Sequence, residues 1–304
     1  MLAKRLHENK LKRSILSPLR PVIKALSPTL YVRGEYRYIT HHRLNLKNPK
    51  RYTEKLQFLR LFVYPKDPLV IKAAGRATVR EYVKEKGYED TLVSCLGIYD
   101  SFEDIDFSKL PPSFVMKCTH ASGWNQIVLD KSKLNIEESR AKFTKWLSLD
   151  YGKKTVERHY SSIKPQIIIE KYLGDSSSLP VEYKIHVFNG KARSLYVVTG
   201  RGKDIRYTNY YADWSPFDGS QFNGWIKSDT PLNKPKEFEK MIKIAETLAA
   251  PFPFVRVDLY DIDGKLYFGE MTFTPAKGTL TLDDDNCDFE MGEWLDISKF
   301  TNNH

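Results

Sequence analysis

Arg256, Asp258 and Glu270 lie in PFPFVRVDLYDIDGKLYFGEMTFTP, and their types suit phosphate and metal chemistry. Asp263-Gly264 separates two runs rich in β-branched and aromatic residues, so the segment reads as a hairpin. Side chains alternate faces along a strand, and the parity of the loop decides which of them meet. A two-residue loop pairs Ile262 with Lys265, sets Asp258 against Gly269 and sends Glu270 to the other face. A three-residue loop, Ile262-Asp263-Gly264, pairs Asp261 with Lys265 and sets Arg256 against Glu270, with Asp258 on the same face. Convergence of the two acids is therefore expected from the three-residue loop. Carboxylates so close repel unless a cation lies between them, and hard oxygen ligands suit Mg²⁺ carrying nucleotide phosphates. An arginine beside them stabilises developing negative charge. A plain ion pair of Arg256 with Glu270 across an exposed hairpin accounts for the same residues without chemistry.

Other candidates are spread along the chain. Lys117 ends an apolar strand before Thr119-His120-Ala121-Ser122-Gly123, a turn whose small residues let backbone N–H groups approach phosphates. The Lys117 ammonium reaches such phosphates as a point charge. Glu170, Lys171, Tyr172 and Leu173 close the apolar run PQIIIEKYLG just before SSSLP, where a chain crossing between lobes can read an adenine edge. His120 sits within the small-residue turn and is a candidate contact for nucleotide or acceptor. His41, His42, His159 and His186 lack ligand spacing and read as surface or packing residues. Asp283-Asp284-Asp285 reads as a solvated acidic loop. Arg201, Lys203 and Arg206 precede Tyr207, Tyr210, Tyr211 and Trp214, a pattern that suits either an acidic sugar ring or the packed rim of a long loop.

The elements that must position these groups are partly legible. Thr53 is expected to cap a helix carrying Leu56, Leu59 and Phe62/Val63, and a second helix is expected over 69–86, ending at Gly87. Phe114–Lys117, Gln126–Leu129 and Gln166–Ile169 read as strands, and residues 141–146 as helix. EYKIHVFNGKARSLYVV is a hairpin turning at Asn189-Gly190. Residues 234–249 carry helical apolar spacing, closed by Pro251. The domains expected are a basic N-terminal arm (1–45), a helical region (46–112), a small lobe (113–175) and a large lobe (176–304).

The composition bounds these readings. A chain of 304 residues with 41% hydrophobic and 28% charged residues holds a sizeable core and is neither disordered nor low-complexity. Three scattered cysteines exclude a disulfide framework and a cysteine zinc site, which points to a reducing cytoplasm. No apolar run of membrane-spanning length and no signal-peptide core is evident. A net charge of +10 favours polyanionic partners. The first 30 residues interleave basic and apolar side chains, a pattern expected at a membrane surface, although Pro18, Pro21 and Pro28 keep any helix short. No nucleic-acid-binding module is apparent.

Taken in order, NPKRYTEKLQFLRL, LGIYDSFEDIDFSKLPPSFVMKCTHASG, EYKIHVFNGK and VRVDLYDIDGKLYFGEMTFTPAKG resemble the ATP-grasp superfamily, and within it the TupA-like family named for teichuronopeptide biosynthesis. The resemblance covers most of the chain from Asn48. It implies an α+β fold in which two lobes with antiparallel sheets clasp ATP, preceded by a helical N-terminal region. It further implies that Lys117 and Lys184 bind phosphates with Ser122 and Gly123, and that Glu170, Lys171 and Leu173 belong to an adenine hinge. Asp258, Glu270 and Thr272 would hold Mg²⁺, and Arg256 with Lys184 would act in catalysis. Thr272 stands where such enzymes commonly have Asn, THASG is less glycine-rich than such loops usually are, and Gly75-Arg76 replaces an expected acid-base pair.

The activity implied is ATP-dependent amide formation through an acyl phosphate. Its substrates would be a uronic acid of a bacterial capsular or cell-surface glycan and a small amine, either an amino acid or an amino alcohol. Phosphotransfer to a sugar, glycosyltransfer and a non-catalytic membrane-surface scaffold are the alternatives. The expected location is the cytoplasm, at the inner membrane surface where the arm engages lipid.

Overall fold

The structure is a computed structural model that describes residues 20–174, 179–201, 204–217, 226–228, 230–280, 282 and 285–301. The first nineteen residues of the arm, Ser176–Ser178 of the SSSLP boundary, Lys203, Asp283 and Asp284 lie outside the described residues. The chain divides into two compact units, 1–44 and 45–304. The first contains helices Arg20–Leu26 and Pro28–Thr40. Ser27 caps the second of these, accepting the Leu30 N–H at 3.3 Å, and His41 ends it in the left-handed region. Among the described residues, no helix is long and apolar enough to cross a membrane.

The second unit is α+β and built on two sheets. One contains β1 (Cys95–Tyr99), β2 (Phe114–Cys118), β3 (Asn125–Val128) and β4 (Ile167–Lys171), antiparallel in the order β1-β4-β2-β3. Alternation along β2 buries Phe114, Met116 and Cys118 with Ile167, Ile169 and Phe143, the last from helix Ile136–Leu147. Val115 and Lys117 are thereby turned to the opposite face. Strand β1 lies within the stretch expected to be helical. Its five residues CLGIY include a glycine, a register slip and no alternating burial, which is why no period announces it.

The other sheet contains β5 (Glu182–Phe188), β6 (Lys191–Thr199), β7 (Arg206–Tyr211), β8 (Ile226–Lys227), β9 (Phe254–Ile262) and β10 (Lys265–Thr272). Its order is β10-β9-β5-β6-β7-β8, with only β7 and β8 parallel among these neighbours. Helix Phe238–Ala249 packs on it, burying Met241, Ile244, Ala245 and Leu248 over a face that includes Ile185, Val257 and Leu259. Each of these side chains except Ala245 contributes about 1.5–3 kcal/mol by leaving water. The β5–β6 turn is two residues, Asn189 and Gly190, both with positive φ as a type I′ turn requires. The Asn189 amide is held on both sides, its Nδ2 donating to the Asp296 carbonyl at 2.9 Å and its Oδ1 accepting the Asp296 N–H at 2.8 Å.

Several local expectations change. Thr53 is not a cap: the helix spans Tyr52–Phe58, and buried Thr53 gives its N–H and hydroxyl to Asp288 at 2.9 and 2.7 Å. A π-helical turn, Leu59–Val63, continues it and buries Arg60 completely. The helix expected over 69–86 is two, Pro68–Ala74 and Thr78–Glu85. The break falls at Gly75, whose extended backbone (ψ 124°) ends the first helix, and a Cβ there would lie 2.4 Å from the Thr78 hydroxyl.

Candidate active site

The last hairpin corrects the expected loop. Lys265 pairs with Ile262, so the turn is the two-residue Asp263-Gly264, both at positive φ. The parity is restored further along: Phe268 pairs with Leu259 and Glu270 with Asp258, and Gly269 is the extra residue of a β-bulge. Thr272, not Glu270, therefore stands opposite Arg256. A Cβ on Gly269 would lie 3.0 Å from both the Asp258 carbonyl oxygen and Tyr260 Cε2, so a glycine suits this position.

Register across the sheet then aligns Tyr196 on β6, Lys184 on β5, Asp258 on β9 and Glu270 on β10 in one row. Asp258 is fully buried and takes three charge-assisted contacts. Arg256 donates through Nε to Oδ1 at 2.6 Å and through Nη2 to Oδ2 at 2.7 Å, while Lys184 Nζ bonds Oδ2. Arg256 also donates to the Tyr196 hydroxyl at 2.9 Å, to Glu270 at 3.3 Å and to Thr272 at 3.0 Å. Lys184 meets Glu182 at 2.8 Å, and Glu182 meets Arg201 at 2.7 Å.

These contacts fix the charges. Burial alone would lower the Lys184 ammonium, but Asp258 and Glu182 hold it above the usual lysine value. Burial presses the Asp258 carboxyl upward, against the pull of Arg256 and Lys184. For Glu270 the balance reverses: burial would raise it, yet Arg76, Lys184, Arg256 and Lys117 hold it down at about 2.

The first sheet supplies the facing wall. Lys117 Nζ pairs with Glu170 at 2.6 Å, and Arg80 pairs with the other Glu170 oxygen at 3.0 Å. The turn after Lys117 is fastened at its base by Thr119 N–H to the Gln166 carbonyl and by Arg76, whose Nη1 donates to the Cys118 carbonyl at 3.0 Å. Gly123 takes φ +74° there. A cleft of about 330 Å³ lies between the walls, lined by Lys117, Ser122, Gly123, Glu170, Lys171, Leu173, Lys184, Arg256 and Glu270. Asp258 and Thr272 are not in its lining.

His120 is not in the lining of the cleft. Its Nε2 lies 3.2 Å from the Leu149 carbonyl, and the buried ring, with a pKa lowered by burial, packs edge-on against Trp124. His159 and His186 are core residues held neutral by burial, each down at about 3. Tyr210 stacks on Trp214, which meets Phe238, so these two aromatics serve packing. Asp285 begins helix Asp285–Trp294 and pairs with Arg51. Sequence reasoning missed Arg80 and Tyr196 and noticed Arg76 only as a departure. The available signal was the β6 alternation that puts Tyr196 beside Lys184; Arg76 precedes the helix Thr78–Glu85 that carries Arg80, so no helical spacing links the two.

Asp258, Glu270 and Thr272 are all oxygen donors, the chemistry a hard divalent cation prefers. Glu270 offers the accessible edge: its side chain is one-third exposed, and Oε2 lies 3.8 Å from Arg76, outside hydrogen-bond reach. Among the described residues, no group of three or more His, Cys, Asp or Glu gathers as a metal cage. Glu270 is the one of the three that fits an ion taking a single protein carboxylate and drawing its other ligands from phosphate and water, whereas both Asp258 oxygens are engaged by Arg256 and Lys184 and Thr272 lies outside the lining.

The family model described as TupA-like ATPgrasp matches residues 54–296. Among curated proteins, no sequence matches the chain. Among solved structures, D-alanine–D-alanine ligase from Bacillus anthracis complexed with ATP is similar at 16% identity and TM-score 0.44, over 67% of this chain and 56% of that one. L-amino acid ligase from Bacillus licheniformis is similar at 15% identity and TM-score 0.44, over 69% and 45%. The chain thus spans about half the length of these enzymes. The family match, not these distant likenesses, carries the assignment.

Proposed function

The chain belongs to the TupA-like ATP-grasp family, and we propose that it is an ATP-dependent carboxylate–amine ligase. In this reading a substrate carboxylate takes the γ-phosphoryl group of ATP, giving an acyl phosphate and ADP. An amine then attacks the acyl carbon, phosphate leaves, and the nitrogen gives up its proton as the amide forms.

The observation that carries the reading is the row of Lys184, Asp258 and Glu270, threaded by Arg256 and set beside a cleft whose other wall presents Lys117. Cations fixed in place before substrate arrives stabilise developing charge without reorganisation. Lys184 and Lys117 are assigned to the phosphates, with the backbone at Ser122 and Gly123. Glu170, Lys171 and Leu173 are assigned to the adenine. Arg256 neutralises charge developing on the transferred phosphoryl group and the tetrahedral acyl centre. Glu270 would hold Mg²⁺ directly, with Asp258 and Thr272 behind it fixing Arg256, and the ion neutralises phosphate charge when bound. Positioning supplies much of the remaining acceleration.

The acceptor we assign is a uronic acid of a bacterial capsular or cell-surface polysaccharide, and the amine an amino acid or amino alcohol. Support comes from the family's association with teichuronopeptide biosynthesis and from the net charge of +10, which favours acidic glycans. Nucleic acid is not among the partners assigned. We place the reaction in the cytoplasm; Cys95, Cys118 and Cys287 are not joined to one another by disulfides, which accords with a reducing compartment.

Hydroxylamine in place of the amine tests the chemistry without knowledge of the true acceptor. Incubation with Mg²⁺, ATP and a panel of uronic acids is expected to yield a hydroxamate and ADP in equal amounts with at least one acid. ADP formed without any hydroxamate would overturn the ligase reading in favour of sugar phosphotransfer.

A further inference from the structure

We infer that the helical pair within residues 20–44 is a docking surface for an anionic lipid bilayer. Nine large hydrophobic side chains stand exposed among the described residues, and four of them fall in this short segment: Val22 at 52%, Leu26 at 82%, Leu30 at 60% and Tyr38 at 53%. Scattered apolar exposure is ordinary, whereas concentration on helix faces is not. Val22 and Leu26 are four residues apart on helix Arg20–Leu26, hence on one face. On helix Pro28–Thr40, Leu30, Gly34 and Tyr38 follow the same spacing, and Val32 and Tyr36, wholly buried, mark the opposite side.

The charge on this surface selects the occupant. Arg33 and Arg37 are exposed on the same face as Leu30 and Tyr38, and Arg20, Lys24 and Arg43 add to them, against Glu35 as the one acid between residues 20 and 44. Glu35 accepts the Tyr31 hydroxyl at 3.2 Å. Apolar side chains flanked by arginines match a headgroup layer, which takes the apolar groups into its acyl boundary and meets the cations with phosphate. A second copy of the chain fits poorly, because a two-fold contact sets a patch against itself and would bring Arg33 and Arg37 near their own counterparts. The inference is independent of the ligase reading, since the surface contains none of the residues assigned to the cleft.

Co-sedimentation of the full chain with phosphatidylglycerol and with phosphatidylcholine vesicles tests it. Binding is expected to the anionic vesicles only and to weaken in high salt. Leu26→Asp/Leu30→Asp and Arg33→Glu/Arg37→Glu variants, checked for an unchanged melting temperature, are each expected to lose roughly tenfold or more in vesicle affinity, because each cation near the surface and each buried apolar group contributes appreciably. Wild-type protein left in the supernatant with anionic vesicles would overturn the inference. So would undiminished binding by both variants, or a concentration-dependent dimer in lipid-free solution that the leucine variant abolishes.

Discussion

Asp258 and Glu270 are both carboxylates on one sheet face, yet their surroundings give them different roles. Asp258 has no exposure and neutralises Arg256 and Lys184, so Asp258→Asn leaves two buried cations short of a counter-charge. A loss of about 3–5 kcal/mol in stability is expected, read by thermal or denaturant melting. Glu270 is one-third exposed, and Glu270→Gln is expected to keep the fold while ADP release falls by roughly 10²–10³. Equal melting losses for the two variants would contradict this division. Two buried histidines, His159 and His186, contribute to acid sensitivity. His159 is buried among Tyr64, Tyr160 and Phe273 with neither ring nitrogen hydrogen-bonded among the described residues, and its pKa lies at about 3 rather than the ordinary 6.5. Its folded pKa is depressed, so the unfolded chain binds the extra proton and stability falls as pH drops below 6.5 toward 3. At pH 5 the deficit is roughly 2 kcal/mol. His159→Phe is expected to remove this contribution and leave the equal one from His186, measured by urea midpoints at pH 7 and pH 5. The chemical types of Lys117, Lys184, Arg256, Asp258 and Glu270 were legible in the sequence. The role of Asp258 as a buried anchor was not, because it depends on Lys184, seventy-four positions away.

Among the elements, the two hairpin turns were legible because Asn-Gly and Asp-Gly tolerate positive φ at both positions. What followed the second turn was not. A regular ladder from a two-residue loop would separate the carboxylates, and the bulge at Gly269 brings them back to one face. Bulges depend on local crowding between strands and leave only a glycine as a trace. Gly269→Val places a branched side chain against the Asp258 carbonyl and the Tyr260 ring and beside Glu270 at the cleft wall. It is expected to destabilise the protein by about 1–3 kcal/mol and to weaken nucleotide binding, by melting and by calorimetry respectively. Unchanged nucleotide affinity would mean that the bulge does not set the position of Glu270. The break at Gly75 follows the same logic, since apolar spacing alone runs on through it.

For the molecule as a whole, the cleft depends on residues outside both sheets. Arg76, between two helices of the N-terminal region, takes the Thr119 carbonyl with its backbone N–H at 3.1 Å and the Cys118 carbonyl with its guanidinium, and it approaches Glu270 at 3.8 Å. It thus ties the small-residue turn of one sheet to the carboxylate row of the other. Arg76→Ala is expected to lower kcat/KM by about tenfold to a hundredfold through misplacement of that turn, whereas Arg76→Lys retains the charge and recovers only part. Steady-state kinetics on the two variants separates this from a purely electrostatic effect, in which lysine would restore activity fully. Such long-range ties have no local sequence signal. Likewise, β1 lies in the stretch read as helical and pairs with β4, a partner more than sixty residues away.

The β5–β6 turn has a consequence for chemical ageing. Asn-Gly is the dipeptide most prone to succinimide formation, because the glycine nitrogen can attack the side-chain carbonyl with little steric resistance. Here both ends of the Asn189 amide are bonded to the Asp296 backbone, so the side chain is held in place while the fold persists. Deamidation at Asn189 should accordingly track unfolding rather than storage time, making it a covalent record of how often this chain has opened.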